Sequence, residues 1–100
     1  MFKPLDKTLV NPIRLMIVSV LMKVENCDFN FLKQLTETTQ GNLSIQLKKL
    51  KECGYISIDK SFENNYPKTN CSITKTGIKA FEDHFKNLKG YQNLDLKQRS

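Results

Sequence analysis

Gly54 divides this chain into two hydrophobic rhythms, and that change limits the possible folds more than any other feature. Before it, apolar residues recur at helical spacing. After it, in Tyr55-Ile56-Ser57-Ile58-Asp59 and again in Cys71-Ser72-Ile73, they alternate as in a strand with one buried face. A chain of 100 residues has room for one domain, so helices and strands must share a core. Lys60 to Asn70, with Asn64-Asn65 and Pro67, reads as the tip of a β-hairpin.

The helices carry their own boundary signals. Asn11-Pro12 combines an N-cap residue with proline at the first helical position, and Val10 and Leu15 are spaced for a hydrophobic staple. The helix that follows, Ile13 to about Val24, is apolar on almost every side and must be covered on both faces: by the core, and most simply by a second subunit. Asp28 is placed to cap a second, short helix with Phe29, Leu32 and Leu35 inward. Thr36-Glu37-Thr38 breaks that pattern. Thr39 caps a third helix running to Glu52 or Cys53, which Gly54 terminates. Two short helices joined by a tight turn form a helix-turn-helix unit. Thr74 caps a last helix with Ile78, Phe81, Phe85 and Leu88 on one stripe, ending near Gly90. Residues 1–90 are thus expected to form the domain. Residues 91–100, polar except for Leu94 and Leu96, form a tail.

Sixteen Lys and Arg against ten Asp and Glu give a net charge of +6, which favours a polyanionic partner. The longest nearly apolar run, Leu15 to Met22, has eight residues, whereas a bilayer needs about 20. Lys23 and Glu25 follow it in place of a small-residue cleavage site, so neither a membrane span nor a signal sequence is expected. Cys27, Cys53 and Cys71 are odd in number and show no C-x-x-C spacing, which argues against a disulfide framework or a zinc site, and a reducing cytoplasm fits best. No metal or cofactor is expected. Cys53 and Cys71 read as small buried hydrophobes, and Cys27, in the loop before the second helix, as the exposed thiol. His84, beside Phe81 and Phe85, reads as a packing or dimer-interface residue. With no nucleophile–base constellation and no Gly-rich phosphate loop, catalysis is not expected.

The third helix carries the chemistry. On a helical wheel Leu43, Leu47 and Leu50 fall within about 60° of one another, an inward stripe. Asn42, Ile45, Lys48 and Lys49 lie away from it, with Ser44 on the margin. Asn42 has the paired donor and acceptor that read an adenine edge, and Ile45 suits a thymine methyl. Lys48 and Lys49 suit phosphates, which set register without reading sequence. Thr39 and Gln40, at the positive N-terminal end, complete the candidate surface, Gln40 within reach of a base or a phosphate. Arg14 and Lys23, on the first helix, are expected to balance carboxylates or a partner's surface, Arg14 with a phosphate as its other option. Two rival uses remain: a protein-docking patch centred on Ile45, and RNA binding. The second is the weaker, because Phe62 and Tyr66 are the only candidate stacking aromatics.

Helix, helix-turn-helix, two-stranded hairpin, helix is the order of a winged helix-turn-helix domain. The fold class expected is mainly α with a small β-hairpin (α+β): a three-helix core, a two-stranded wing and a C-terminal dimerisation helix. The segment Thr39-Gln-Gly-Asn-Leu-Ser-Ile-Gln-Leu-Lys-Lys-Leu-Lys-Glu-Cys-Gly-Tyr-Ile resembles the recognition helix and exit turn of small MarR/ArsR-like bacterial transcriptional regulators. Asn11-Pro-Ile-Arg-Leu, Pro67-Lys-Thr and Ile73-Thr-Lys-Thr-Gly are similar to their flanking signatures, so the resemblance spans roughly residues 5 to 90. It implies a homodimer paired through its first and last helices, placing two recognition helices in successive major grooves of double-stranded DNA. It also singles out Lys68, beside Pro67 at the hairpin tip, as a DNA contact. It names no small-molecule effector. The chain departs from the family pattern at Ile45-Gln46, where Arg-His is usual, at Thr38, where Leu is usual, and in the less basic tip Phe62-Glu63-Asn64-Asn65-Tyr66.

Overall fold

A computed structural model describes residues 3–94. The elements are α1 (Pro12–Leu21), β1 (Cys27–Asp28), α2 (Phe29–Thr36), α3 (Gln40–Glu52), β2 (Ile56–Glu63), β3 (Tyr66–Ile73) and α4 (Lys75–Gln92). Four helices pack with an antiparallel sheet in the order β1-β3-β2. This is the α+β winged helix-turn-helix architecture that the sequence predicts, with one strand more than the expected pair.

Local chemistry fixes most element ends. The Asn11 side chain accepts from the backbone N–H groups of Ile13 and Arg14 at 3.0 and 3.1 Å. Asp28, Thr39 and Thr74 do the same for the N–H groups of Phe31, Asn42 and Gly77. Each such cap satisfies a donor that a helix leaves unpaired and is worth about 1 kcal/mol. At the end of α3, Tyr55 N–H reaches the Leu50 carbonyl and Gly54 N–H the Lys51 carbonyl. This crossed pair requires a left-handed residue, which Gly54 supplies at φ 77°.

The core brings Ile17, Val18 and Leu21 of α1 against Leu32 of α2, Leu43, Leu47 and Leu50 of α3, and Ile56 and Cys71 of the sheet. Leu9, ahead of α1, is also fully buried. It is held by an Asp6 turn in which the carboxylate accepts from Thr8 and Leu9 N–H groups.

Several expectations are corrected. α1 stops at Leu21 rather than near Val24. Leu35 is 41% exposed, not inward. Six residues advance a helix by about 600°, which carries Leu35 about 120° away from Phe29; half-buried Thr36 takes the inward place and donates its hydroxyl to the Leu32 carbonyl. The hairpin strands run much further than Asp59 and Cys71. Pairing continues from Ile56↔Ile73 to Glu63↔Tyr66, and the turn is only Asn64-Asn65, at φ 53° and 66°. Two consecutive left-handed residues are what a two-residue hairpin of this kind needs, and Asn tolerates them. Pro67 is accommodated because β1 pairs only with Cys71 and Asn70, leaving the edge beside Pro67 open. The cysteine assignments exchange places: Cys27 is buried in β1 opposite Cys71, and Cys53 is exposed at the end of α3. Burial raises the pKa of the Cys27 thiol, and pushes that of Cys71 up to about 11.

α4 continues through Gly90 to Gln92. Its buried residues are Gly77 and His84, the latter edge-on to Phe85. The last part of the expected tail, residues 95–100 with Leu96, lies outside the described residues.

Candidate nucleic-acid interface

α3 turns Leu43, Gln46, Leu47 and Leu50 into the core and leaves Gln40, Ser44, Ile45, Lys48, Lys49 and Lys51 exposed. Ile45 is 54% exposed. None of the three lysines forms an ion pair with a described residue, so their charge faces solvent undiminished. Thr39 is exposed, but its oxygen is engaged as the cap of α3. The surface is thus an amide, a hydroxyl, an aliphatic group and three ammonium groups on one side of a 13-residue helix.

Between this face and the hairpin runs a groove of about 390 Å³. Ser44, Lys48 and Lys51 line it from α3, and Ile58, Lys60 and Thr69 from the strands. The alternation of β2 explains Lys60: it continues the inward row Ile56, Ile58 one step beyond the core. The groove therefore gathers three cations, of which the wheel had singled out only Lys48. Lys51 escaped notice because it sits between Ser44 and Leu47 on the wheel, at the edge of the inward stripe.

Two predicted contacts are placed differently from the rest. Asn42 is half-buried and its amide is engaged at both ends: Nδ2 donates to Thr38 Oγ1 at 2.7 Å, and Oδ1 accepts from Gln46 Nε2 at 3.0 Å. Lys68 projects from β3 on the opposite side of the hairpin from Lys60 and pairs with Glu63 at 2.8 Å. The hydrogen bond that Lys68 donates to Glu63, and the negative charge of that carboxylate, raise the Lys68 ammonium pKa. The wing tip is in consequence nearly neutral, and it exposes Phe62 and Tyr66 at 79% and 74%.

Arg14 does not reach the exposed face of α3. Its Nε donates to the Thr8 carbonyl at 2.7 Å, and its Nη1 to Gln46 Oε1 at 2.8 Å. Nothing in the local sequence announces this contact across 32 residues. Gln46, only about 40° from Leu50 on the wheel, was the available signal.

Among the described residues no cluster of three or more His, Cys, Asp or Glu could hold a metal ion, and no helix is long and apolar enough to cross a membrane.

Known proteins are similar to this chain in sequence or in fold. An uncharacterized protein of Methanocaldococcus jannaschii is 40% identical over 72 residues, covering 72% of this chain and 78% of its own. The structure of a transcriptional regulator homologue from Pyrococcus horikoshii is similar at a TM-score of 0.79 and 26% identity, over 86% of this chain and 85% of that one. A mutant MarR of Escherichia coli, solved in complex with operator DNA, is similar in fold at a TM-score of 0.65 and 14% identity, over 85% of this chain and 64% of that one. A family model described as winged helix DNA-binding domain matches residues 13–91. The chain belongs to the winged helix DNA-binding domain family.

Proposed function

We infer that this protein is a homodimeric transcriptional regulator that binds a short, roughly palindromic site in double-stranded DNA. The observation that carries this reading is the exposed, unpaired cationic face of α3, continued across the groove to Lys60. Lys48 and Lys49, joined by Lys51, neutralise phosphates and set the register. Gln40, Ser44 and Ile45 meet base edges, Ile45 through a thymine methyl. Thr39 approaches the backbone at the helix N-terminus. Lys68 contributes only when its pairing with Glu63 is released.

A dimer supports the same reading. Met16 of α1 is 43% exposed, Phe85 of α4 38%, and Leu94 beyond it 47%. Pairing through these helices covers that apolar surface and sets two α3 helices one helical turn of DNA apart, about 34 Å.

The exposure of Ile45 favours one alternative, a protein-docking module. Selection of bound sequences from a random duplex pool separates the two. The regulator enriches inverted half-sites about ten base pairs apart, centre to centre. A pool without enrichment refutes DNA-sequence recognition, and sedimentation as a folded monomer at micromolar concentration refutes the dimer.

A further inference from the structure

Arg14 heads a line of side-chain hydrogen bonds that ends in the turn before α3. Its guanidinium donates to Gln46 Oε1, Gln46 Nε2 donates to Asn42 Oδ1, and Asn42 Nδ2 donates to Thr38 Oγ1, at 2.8, 3.0 and 2.7 Å. The sense of this line is not arbitrary. A guanidinium has donors and no acceptor, so Gln46 must turn its oxygen towards Arg14. That sends the Gln46 nitrogen to Asn42, which must answer with its own oxygen. The Asn42 nitrogen then faces Thr38, whose hydroxyl accepts and keeps its hydrogen available to donate. One cation thereby fixes two amides and a hydroxyl. Gln46 is 8% exposed, so water cannot readily replace a lost partner there.

We propose that Arg14 and Gln46 are positioning residues for DNA readout, holding the Asn42 amide in one of its two orientations where Asn42 and Thr38 meet the duplex. This inference rests on the DNA-binding reading of α3 given above. Asn42 keeps one N–H for an acceptor such as guanine N7 or O6, thymine O4 or a phosphate oxygen. Its oxygen accepts from Gln46 on one of two lone pairs, so the second lone pair and the free N–H face outward in a single orientation, and the amide cannot turn over without breaking the line. Arg14 acts at a distance. It is spent on Thr8 and Gln46, and it contributes charge to no phosphate.

The test compares Arg14→Met and Gln46→Glu with the wild-type protein on the selected site, on single-base variants of it and on unrelated duplex. Arg14→Met releases the whole line. It should weaken the selected site about tenfold, as expected for a loosened hydrogen-bonded network, with unrelated duplex and the salt slope unchanged. A phosphate contact behaves otherwise: affinity falls equally on every sequence and the slope drops by about 0.9 per subunit. That result overturns the inference. Gln46→Glu keeps the acceptor for Arg14, and with it the fold, but removes the donor to Asn42. Asn42 is then released to turn over, and base preference at one position of each half-site should relax. Unchanged base preference in Gln46→Glu overturns the inference. A readout without DNA comes from the side-chain amide protons of Asn42 by NMR. They should exchange slowly in the wild-type protein and rapidly in both variants; equally rapid exchange in all three overturns it. A wild-type protein that enriches no duplex removes the DNA-binding reading and this inference together. Duplex enrichment combined with any of the contrary variant results removes the inference alone.

Discussion

Replacing Lys48 and Lys49 with alanine should change how DNA binding responds to salt more than it changes anything else. Each α3 helix exposes three lysines with no ionic partner among the described residues, Lys48, Lys49 and Lys51. One phosphate met by each, in two subunits, predicts a slope of log K against log salt of about −5. The double variant retains one lysine per helix and a slope of about −2. Between about 50 and 200 mM salt the wild-type protein should then lose about three decades of affinity and the variant about one. Fluorescence anisotropy with a labelled duplex from the selected pool measures both slopes. The thermal midpoint is the control, because exposed substitutions of this kind usually stay within about 0.5 kcal/mol. Parallel slopes in the two proteins would refute the placement of these lysines at the phosphates. Retained binding with the steep slope gone would leave it standing.

Three further outcomes follow from the geometry. Gly77→Ala should destabilise the protein by about 1–3 kcal/mol despite the better helix propensity of alanine, because the new Cβ overlaps the Tyr55 carbonyl oxygen and presses on Ile73; a raised thermal midpoint would contradict this. The Tyr55 hydroxyl donates to Asp6 Oδ2 at 2.6 Å, and burial, followed by this hydrogen bond, pushes its pKa up to about 12. A raised folded-state pKa stabilises the fold below the unfolded value of about 10 and is lost as pH climbs through the folded one, so denaturant midpoints should fall between about pH 10 and 12 and Tyr55→Phe should flatten that decline. Glu63→Gln should release Lys68 and steepen the salt slope by up to about 0.9 per subunit; an unchanged slope would place the wing away from the duplex.

Local signals were legible and distant ones were not. Asn11, Asp28, Thr39 and Thr74 announce helix starts because a cap depends on residues two or three positions away. Gly54 announces an end for the same reason. The leucine stripe of α3 fixed which side of the helix would stay open. β1 left no trace, since two residues have no period and Cys27–Asp28 becomes a strand only through its partners on β3. The outer half of the hairpin was equally silent. Beyond Asp59 both of its faces meet solvent, so the alternation that marks a half-buried strand is lost. At the candidate interface the exposure of Lys48 and Lys49 followed from the wheel, whereas Lys51 and Lys60 emerged only with the groove. The engagement of Asn42 did not follow from it, because its cause is Arg14, on another helix.

Thr74 is half-buried: its hydroxyl donates to the Gly54 carbonyl at 2.6 Å and accepts from Gly77 N–H at 3.0 Å, while its own N–H binds the Tyr55 carbonyl at 3.0 Å. A single residue therefore pins the foot of α4 to the place where α3 gives way to the sheet. The axis of α4 cannot swing without dragging that junction or surrendering these bonds. In a pair of subunits clasped by their last helices, the separation of the two probing surfaces would be dictated at this hinge pin rather than by any slack in a connecting loop.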